Sequence, residues 1–228
     1  MFIMAFTNSG LAEQAKKALS EGWHYGWGDF GRKATAANIS ALVSLYPSIN
    51  AQWKNYMSQA IGKTRLCDCY GIVKSYLWWQ GDDKDPKYNA AQDRNTNMAY
   101  DAAKEKGTLS NMPEIPGLIL YKPGHVGVYT GSGEFIELRG DGTGAVKGTV
   151  KNGVITSGSK FTHWFKDTFI TYEAVQPAVT PESVVNRLVA AGITSDGPYW
   201  LNVLQGKEAA KNEWLMILFD RLLKKAGI

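Results

Sequence analysis

The sequence predicts an α+β domain followed by a small all-α module. Three observations point there. Apolar residues recur at helical spacing between about residues 8 and 106, and from Pro116 short β-like runs alternate with Gly, Asn-Gly and Ser-Gly turns. After a Pro-containing segment, residues 182–228 return to helical spacing with breaks at Gly192 and Gly206. These shifts divide the chain into a main domain at 1–176, a linker at 177–181 and a helical module at 182–228. A length of 228 residues suits one full domain plus a remainder. Hydrophobic residues at 44% and charged residues at 20% are enough to build a core.

Each element has its own signal. Leu11, Ala12, Ala15, Ala18 and Leu19 predict a helix over 8–19 with Asn8 or Ser9 as cap. Trp23-His24-Tyr25-Gly26-Trp27-Gly28 mixes rings with glycines and predicts a loop of close approach. Helices are expected at 36–46 and 50–61, separated by Pro47. Ile72, Val73, Tyr76 and Leu77 predict a helix over about 69–80 capped by Asp68, which sets Cys69 in its first turn. A further helix is expected over 95–106, then strands at 118–122, 125–130, 134–138, 145–150 and 168–174. Thr180 and Pro181 carry the signature of a helix start.

Composition narrows the chemistry. A net charge of +4 without any run of five basic residues is not a nucleic-acid footprint. No segment reaches the ~18 apolar residues needed to span a bilayer. The apolar run Phe2 to Phe6 is too brief, and lacks the basic start, for a signal peptide, so the chain is expected to be made in the cytosol. Cys67 and Cys69 are separated by one residue, too close for an ordinary disulfide and unlike zinc-ligand spacing. The acidic stretch Asp82 to Asp85 lacks the glycine and distal Glu of a calcium loop, so neither metal nor cofactor is expected.

One constellation points to covalent chemistry. A thiol at a helix N-terminus gains from free N–H groups and the helix dipole, which predicts a lowered pKa for Cys69. His125 opens a strand that turns through Gly131-Ser132-Gly133 into Glu134 to Leu138. With a three-residue loop, Thr130 pairs with Glu134 and Gly127 with Glu137. Parity then puts His125 and Glu137 on one face as diagonal neighbours, roughly 7–8 Å apart at Cα. A two-residue loop would separate them. A thiol, an imidazole and an orienting polar group together make an acyl-transfer apparatus. The competing imidazoles are His24, in the aromatic loop, and His163, beside Trp164, where a packed structural histidine fits better; neither begins a strand with a carboxylate opposite.

Asp68-Cys69-Tyr70-Gly71-Ile72-Val73, then Gly124-His125-Val126-Gly127-Val128-Tyr129 and the Gly-rich hairpin, with Tyr25-Gly26-Trp27-Gly28 upstream, resemble the NlpC-type family of papain-like cell-wall cysteine peptidases. The likeness covers roughly residues 10 to 175. It implies a papain-like domain that cleaves peptide stems of bacterial peptidoglycan without a cofactor. Cys69 is then the nucleophile, His125 the base, Glu137 the third polar residue and Tyr25 a group near the oxyanion. Glu137 departs from the His, Asn or Gln more usual in the family, and Tyr70 from a small serine, so its ring is expected to narrow the cleft. Gly117 to Tyr121 and Ile136 to Gly140 look like the branch of phage lysins and tail-associated hydrolases, which implies action at the cell wall. An amidase cutting between sugar and peptide, a papain-like acyltransferase and a non-catalytic wall-binding protein are the competing readings. Trp23, Trp27, Trp78 and Trp79 offer material for a glycan-stacking platform or for core. Residues 182–228 resemble the helical modules at the ends of phage wall hydrolases. Their last helix is apolar almost all round, so it is expected to pack on the catalytic domain, a second copy of the chain or a wall ligand.

Overall fold

The structure is a computed structural model that describes residues 6–173 and 181–226. The chain forms two compact units, Met1–Val175 and Gln176–Ile228. Thr180, the linker apart from Pro181, and the N-terminal run apart from Phe6 lie outside the described residues.

In chain order the first unit contains α1 (Asn8–Ser20), β1 (His24–Tyr25), β2 (Phe30–Lys33), α2 (Ala36–Leu45), α3 (Pro47–Ser58), β3 (Arg65–Cys67), α4 (Gly71–Trp78) and α5 (Thr96–Ala102). The strands that follow are β4 (Lys106–Thr108), β5 (Ile119–Lys122), β6 (His125–Gly131), β7 (Glu134–Arg139), β8 (Gly144–Lys151), β9 (Val154–Ser157) and β10 (His163–Phe165). The result is a mixed α and β fold with one large antiparallel sheet in the order β4-β10-β5-β6-β7-β8-β9. A small sheet, β1-β3-β2, sits upstream of it in sequence.

Local chemistry explains where the elements begin. Thr7, rather than Asn8 or Ser9, caps α1, accepting from the Gly10 N–H at 3.2 Å. Pro47 opens α3 instead of separating two helices, because its missing N–H is no loss at the first helical position. Over the described residues 168–173, the strand expected at 168–174 is absent apart from a single bridge between Thr171 and Thr7. Asp167 heads a turn there, its carboxylate accepting from the Phe169 N–H at 2.9 Å, which diverts the backbone from a ladder. The strand lies earlier, at β10.

Strand alternation gives the large sheet two apolar faces. On one, Val126, Val128, Ile136 and Leu138 meet Leu11 and Ala15 of α1 and Ile72 and Val73 of α4. On the other, Leu118, Leu120, Tyr129, Phe135, Phe161 and Trp164 form a second core. A third cluster, Ile39, Leu42, Met57 and Leu66, ties α2 and α3 to β3.

The second unit contains α6 (Pro181–Ala190), α7 (Gly197–Leu204) and α8 (Asn212–Ala226). Gly192 and Gly206 adopt φ of +67° and +71° in the connecting turns. Trp214, Leu215 and Leu218 of α8 pack on Val185, Tyr199 and Trp200. Met216, Ile217, Phe219 and Leu223 remain exposed.

Candidate active site

Cys69 sits in the turn between β3 and α4. The helix begins at Gly71, so Cys69 precedes it rather than lying in its first turn. The N-cap position falls on Tyr70 instead of Asp68, whose Oδ1 accepts from the Gly71 N–H at 2.5 Å while its Oδ2 accepts from the Gly28 N–H at 3.1 Å. The turn is tight: a Cβ on Gly71 would lie 2.3 Å from the Asp29 carbonyl oxygen, so only glycine fits. Cys69 is 6% exposed. Burial, reinforced by the Asp68 carboxylate, pushes its thiol up to about 12, against stabilising N–H groups of Val126, Tyr70 and Cys69 itself. The lowered pKa expected from the sequence is therefore overturned, because desolvation outweighs the helix end. The stabilising Val126 N–H belongs to β6 and follows His125 in the strand.

His125 Nε2 and Glu137 Oε2 are 2.6 Å apart. Gly127 pairs with Glu137, as the three-residue loop predicts, but the turn itself differs. Ser132 and Gly133, with φ of +54° and +75°, make a two-residue turn in which Gly131 pairs with Glu134. A bulge between Tyr129 and Gly131 then restores the parity that such a turn would have lost.

Glu137 is fully buried. Burial favours its neutral form, yet the bonds from His125 and Ser159 hold the carboxyl below the usual carboxylate range. The Ser159 N–H donates to Oε1 at 2.8 Å, leaving Oε2 for the imidazole. Phe161 stacks on the His125 ring at 5.5 Å between centroids. It also occupies the space that Gly127 leaves, where a Cβ would be 3.1 Å from the ring. Ser159 and Phe161 were missed in the sequence because Ser157-Gly158-Ser159 reads there only as a turn.

Tyr25 is 6% exposed, and burial followed by the charges of Cys69, Asp68 and Cys67 raises its phenol, which locates it beside the Cys67–Cys69 segment. Tyr25, Cys69 and Gly124 line one cleft of about 530 Å³. Tyr70 is 2% exposed, donates its hydroxyl to Asp167 at 2.6 Å and lines the same cleft. Cys67 is fully buried, with Sγ 3.2 Å from the Asp68 carbonyl oxygen, and burial pushes its thiol well up.

The remaining candidates are engaged elsewhere. His24 stacks on Tyr56 at 4.5 Å, and His163 Nδ1 contacts Thr162 Oγ1 at 2.8 Å. In the acidic stretch, Asp85 accepts from the Lys33 N–H at 2.7 Å and Asp82 pairs with Lys17 at 3.0 Å. Among the described residues, no group of three or more His, Cys, Asp or Glu side chains is arranged to hold a metal, and no helix is long and apolar enough to cross a membrane.

Searches against protein families and against curated proteins return no match. Among solved structures, the chain is similar to the peptidoglycan hydrolase RipB from Mycobacterium tuberculosis, over 72% of this chain and 67% of that one, at 17% identity and a TM-score of 0.37.

Proposed function

We propose that this protein is an NlpC-type cysteine peptidase that hydrolyses an amide bond in the peptide stem or cross-link of bacterial peptidoglycan. The observation that carries the reading is the His125–Glu137 pair at 2.6 Å, on a strand whose next N–H favours the Cys69 thiolate. Wall action through a phage lysin or a virion-associated enzyme belongs to the same proposal and rests on the sequence resemblance.

The geometry suggests a division of roles. Glu137 occupies Nε2 of His125, which leaves Nδ1 to take the thiol proton. A thiol at about 12 does not ionise by itself at neutral pH, so the proton moves to the imidazole as sulfur attacks the carbonyl. The developing oxyanion is met by the Cys69 N–H and the Tyr25 hydroxyl. His125 then protonates the leaving amine, and a water activated by the same nitrogen hydrolyses the thioester. Glu137 holds the tautomer and stabilises the imidazolium.

Digestion of purified walls of several chemotypes, with the released fragments read by mass spectrometry, tests both reaction and bond. New chain ends between two amino acids are expected. Ends between muramic acid and the first amino acid would replace the peptidase assignment with an amidase using the same machinery. Cys69→Ala is expected to abolish release with the fold intact, and Cys67→Ser to keep most of it. The proposal fails if Cys67→Ser, still folded, is the variant that stops turnover.

A further inference from the structure

Among the described residues of the first unit, seven large apolar or aromatic side chains are exposed, and five of them, Trp27, Leu45, Tyr46, Tyr88 and Met98, line the Cys69 cleft. Exposed apolar groups scattered over a surface are ordinary, but a concentration on one concave site marks a ligand surface. Of the four tryptophans singled out in the sequence, Trp23 and Trp78 are buried and Trp79 stacks on Trp23 at 6.1 Å. Trp27 is 39% exposed.

Trp27 is also held in place. Asn50, fully buried, accepts from the Trp27 N–H at 3.1 Å and donates to the Trp27 carbonyl at 3.0 Å and to that of Leu42 at 3.1 Å. The Tyr46 ring lies on Gly28, where a Cβ would be 2.4 Å from it. Tyr88 packs edge-on against Trp78 at 5.3 Å and donates its hydroxyl to Asp93 at 3.0 Å. A buried amide thus spends its bonds on the backbone of an exposed indole, and the neighbouring rings are fixed by packing. Preorganised aromatic faces of this kind reduce the ordering cost of binding.

The cleft is not purely apolar. Arg32, Lys74, Asp93, Arg94 and Asn95 line it with the rings. An acyl chain would desolvate the Lys74–Asp93 pair and the Arg32 and Arg94 guanidiniums and could not satisfy the N–H donors that their Asp29 and Thr168 partners leave over. A pyranose carrying an acetamide group has an apolar C–H face for a ring and a rim of hydroxyls and amide for charged and amide side chains.

We infer that the aromatic arm of the cleft, built from Trp27, Tyr46 and Tyr88, is a subsite for an N-acetylated sugar of the glycan strand, so that the preferred substrate is a stem peptide still joined to its sugar. The inference rests on the proposed hydrolase reading for its substrate, but the sugar site stands on its own geometry.

Two measurements on the full chain test it. In the first, kcat/KM is compared for a disaccharide-bearing stem peptide and the same peptide without sugar. The wild type is expected to favour the first by tenfold or more, and Trp27→Ala and Tyr88→Ala to reduce that ratio at least fivefold, mainly through KM. A wild-type ratio near one, or a ratio untouched in both variants, overturns the subsite. In the second, the N-acetylglucosamine–N-acetylmuramic acid disaccharide is titrated by calorimetry into Cys69→Ala. Saturable binding that is lost on adding Trp27→Ala or the exposed Tyr88→Ala supports the subsite. Absent binding, or binding that survives both changes, overturns it. Disaccharide binding without cleavage of either peptide by the wild type would sink the hydrolase reading and leave the sugar site standing.

Discussion

Glu137 joins complete burial to a carboxyl held ionised, which requires that both of its oxygens be satisfied, and Ser159 and His125 do so. Removing the carboxylate frees the imidazole and leaves the Ser159 N–H without a partner. Glu137→Ala is therefore expected to lower kcat/KM by roughly 10²–10⁴-fold. Glu137→Gln keeps an oxygen acceptor for Nε2–H and is expected to stay within about tenfold of wild type, checked by steady-state kinetics on one defined substrate. Asp29 behaves in the opposite way. It is fully buried, and burial raises its carboxyl to about 6 despite the opposing charge and hydrogen bonds of Arg32. The folded chain thus holds this proton more tightly than the unfolded chain does. Its stabilising contribution is complete below the ordinary carboxylate value and is lost as pH rises toward about 6. Relative to Asp29→Asn, wild-type stability should fall by on the order of 3 kcal/mol between acid and neutral pH. Urea denaturation of both proteins across that range reads it, and parallel curves would reject the assignment.

At the scale of elements, the β6–β7 hairpin shows how register reaches chemistry. Thr130 is the extra residue of the bulge, since Gly131 pairs with Glu134 and Tyr129 with Phe135. Deleting Thr130 leaves a regular two-residue hairpin with Gly127 still opposite Glu137, so activity should remain within about tenfold of wild type. Loss of activity with the fold intact would mean that the bulge itself shapes the site. The sequence made the pairing legible because Val126, Val128, Ile136 and Leu138 all need the same apolar face, whatever turn joins the strands. The turn type was not legible, because Gly131-Ser132-Gly133 permits either loop and tertiary packing chooses. The upstream small sheet was hidden for another reason. Its strands are two to four residues long, too short for alternation to register. Cys69, His125 and Glu137 stood out by residue type and spacing, whereas Ser159 and Phe161 act through a backbone N–H and a ring face that no local pattern marks.

On the scale of the whole molecule, the two units have separate cores, with Trp200, Tyr199 and Val185 closing the smaller one. A chain ending at Val175 is expected to cleave soluble muropeptides at the full-length rate and to bind intact walls less well, measured by pull-down with purified sacculi. Equal wall binding by both forms would remove the targeting role from the helical module. The larger unit also fastens its own ends together. Asn8 donates its N–H to the Thr171 carbonyl at 3.0 Å, and Phe6 accepts from the Thr171 N–H at 2.7 Å. Asn8, now through its side chain, accepts from the Glu173 N–H at 3.0 Å and donates to the Pro116 carbonyl at 2.9 Å. Where the entering and leaving segments are joined by such a bridge, the polypeptide between them is a closed circuit that needs only one point of attachment. Such a unit is expected to accept circular permutation, or insertion into a surface loop of an unrelated host, without parting Cys69 from His125.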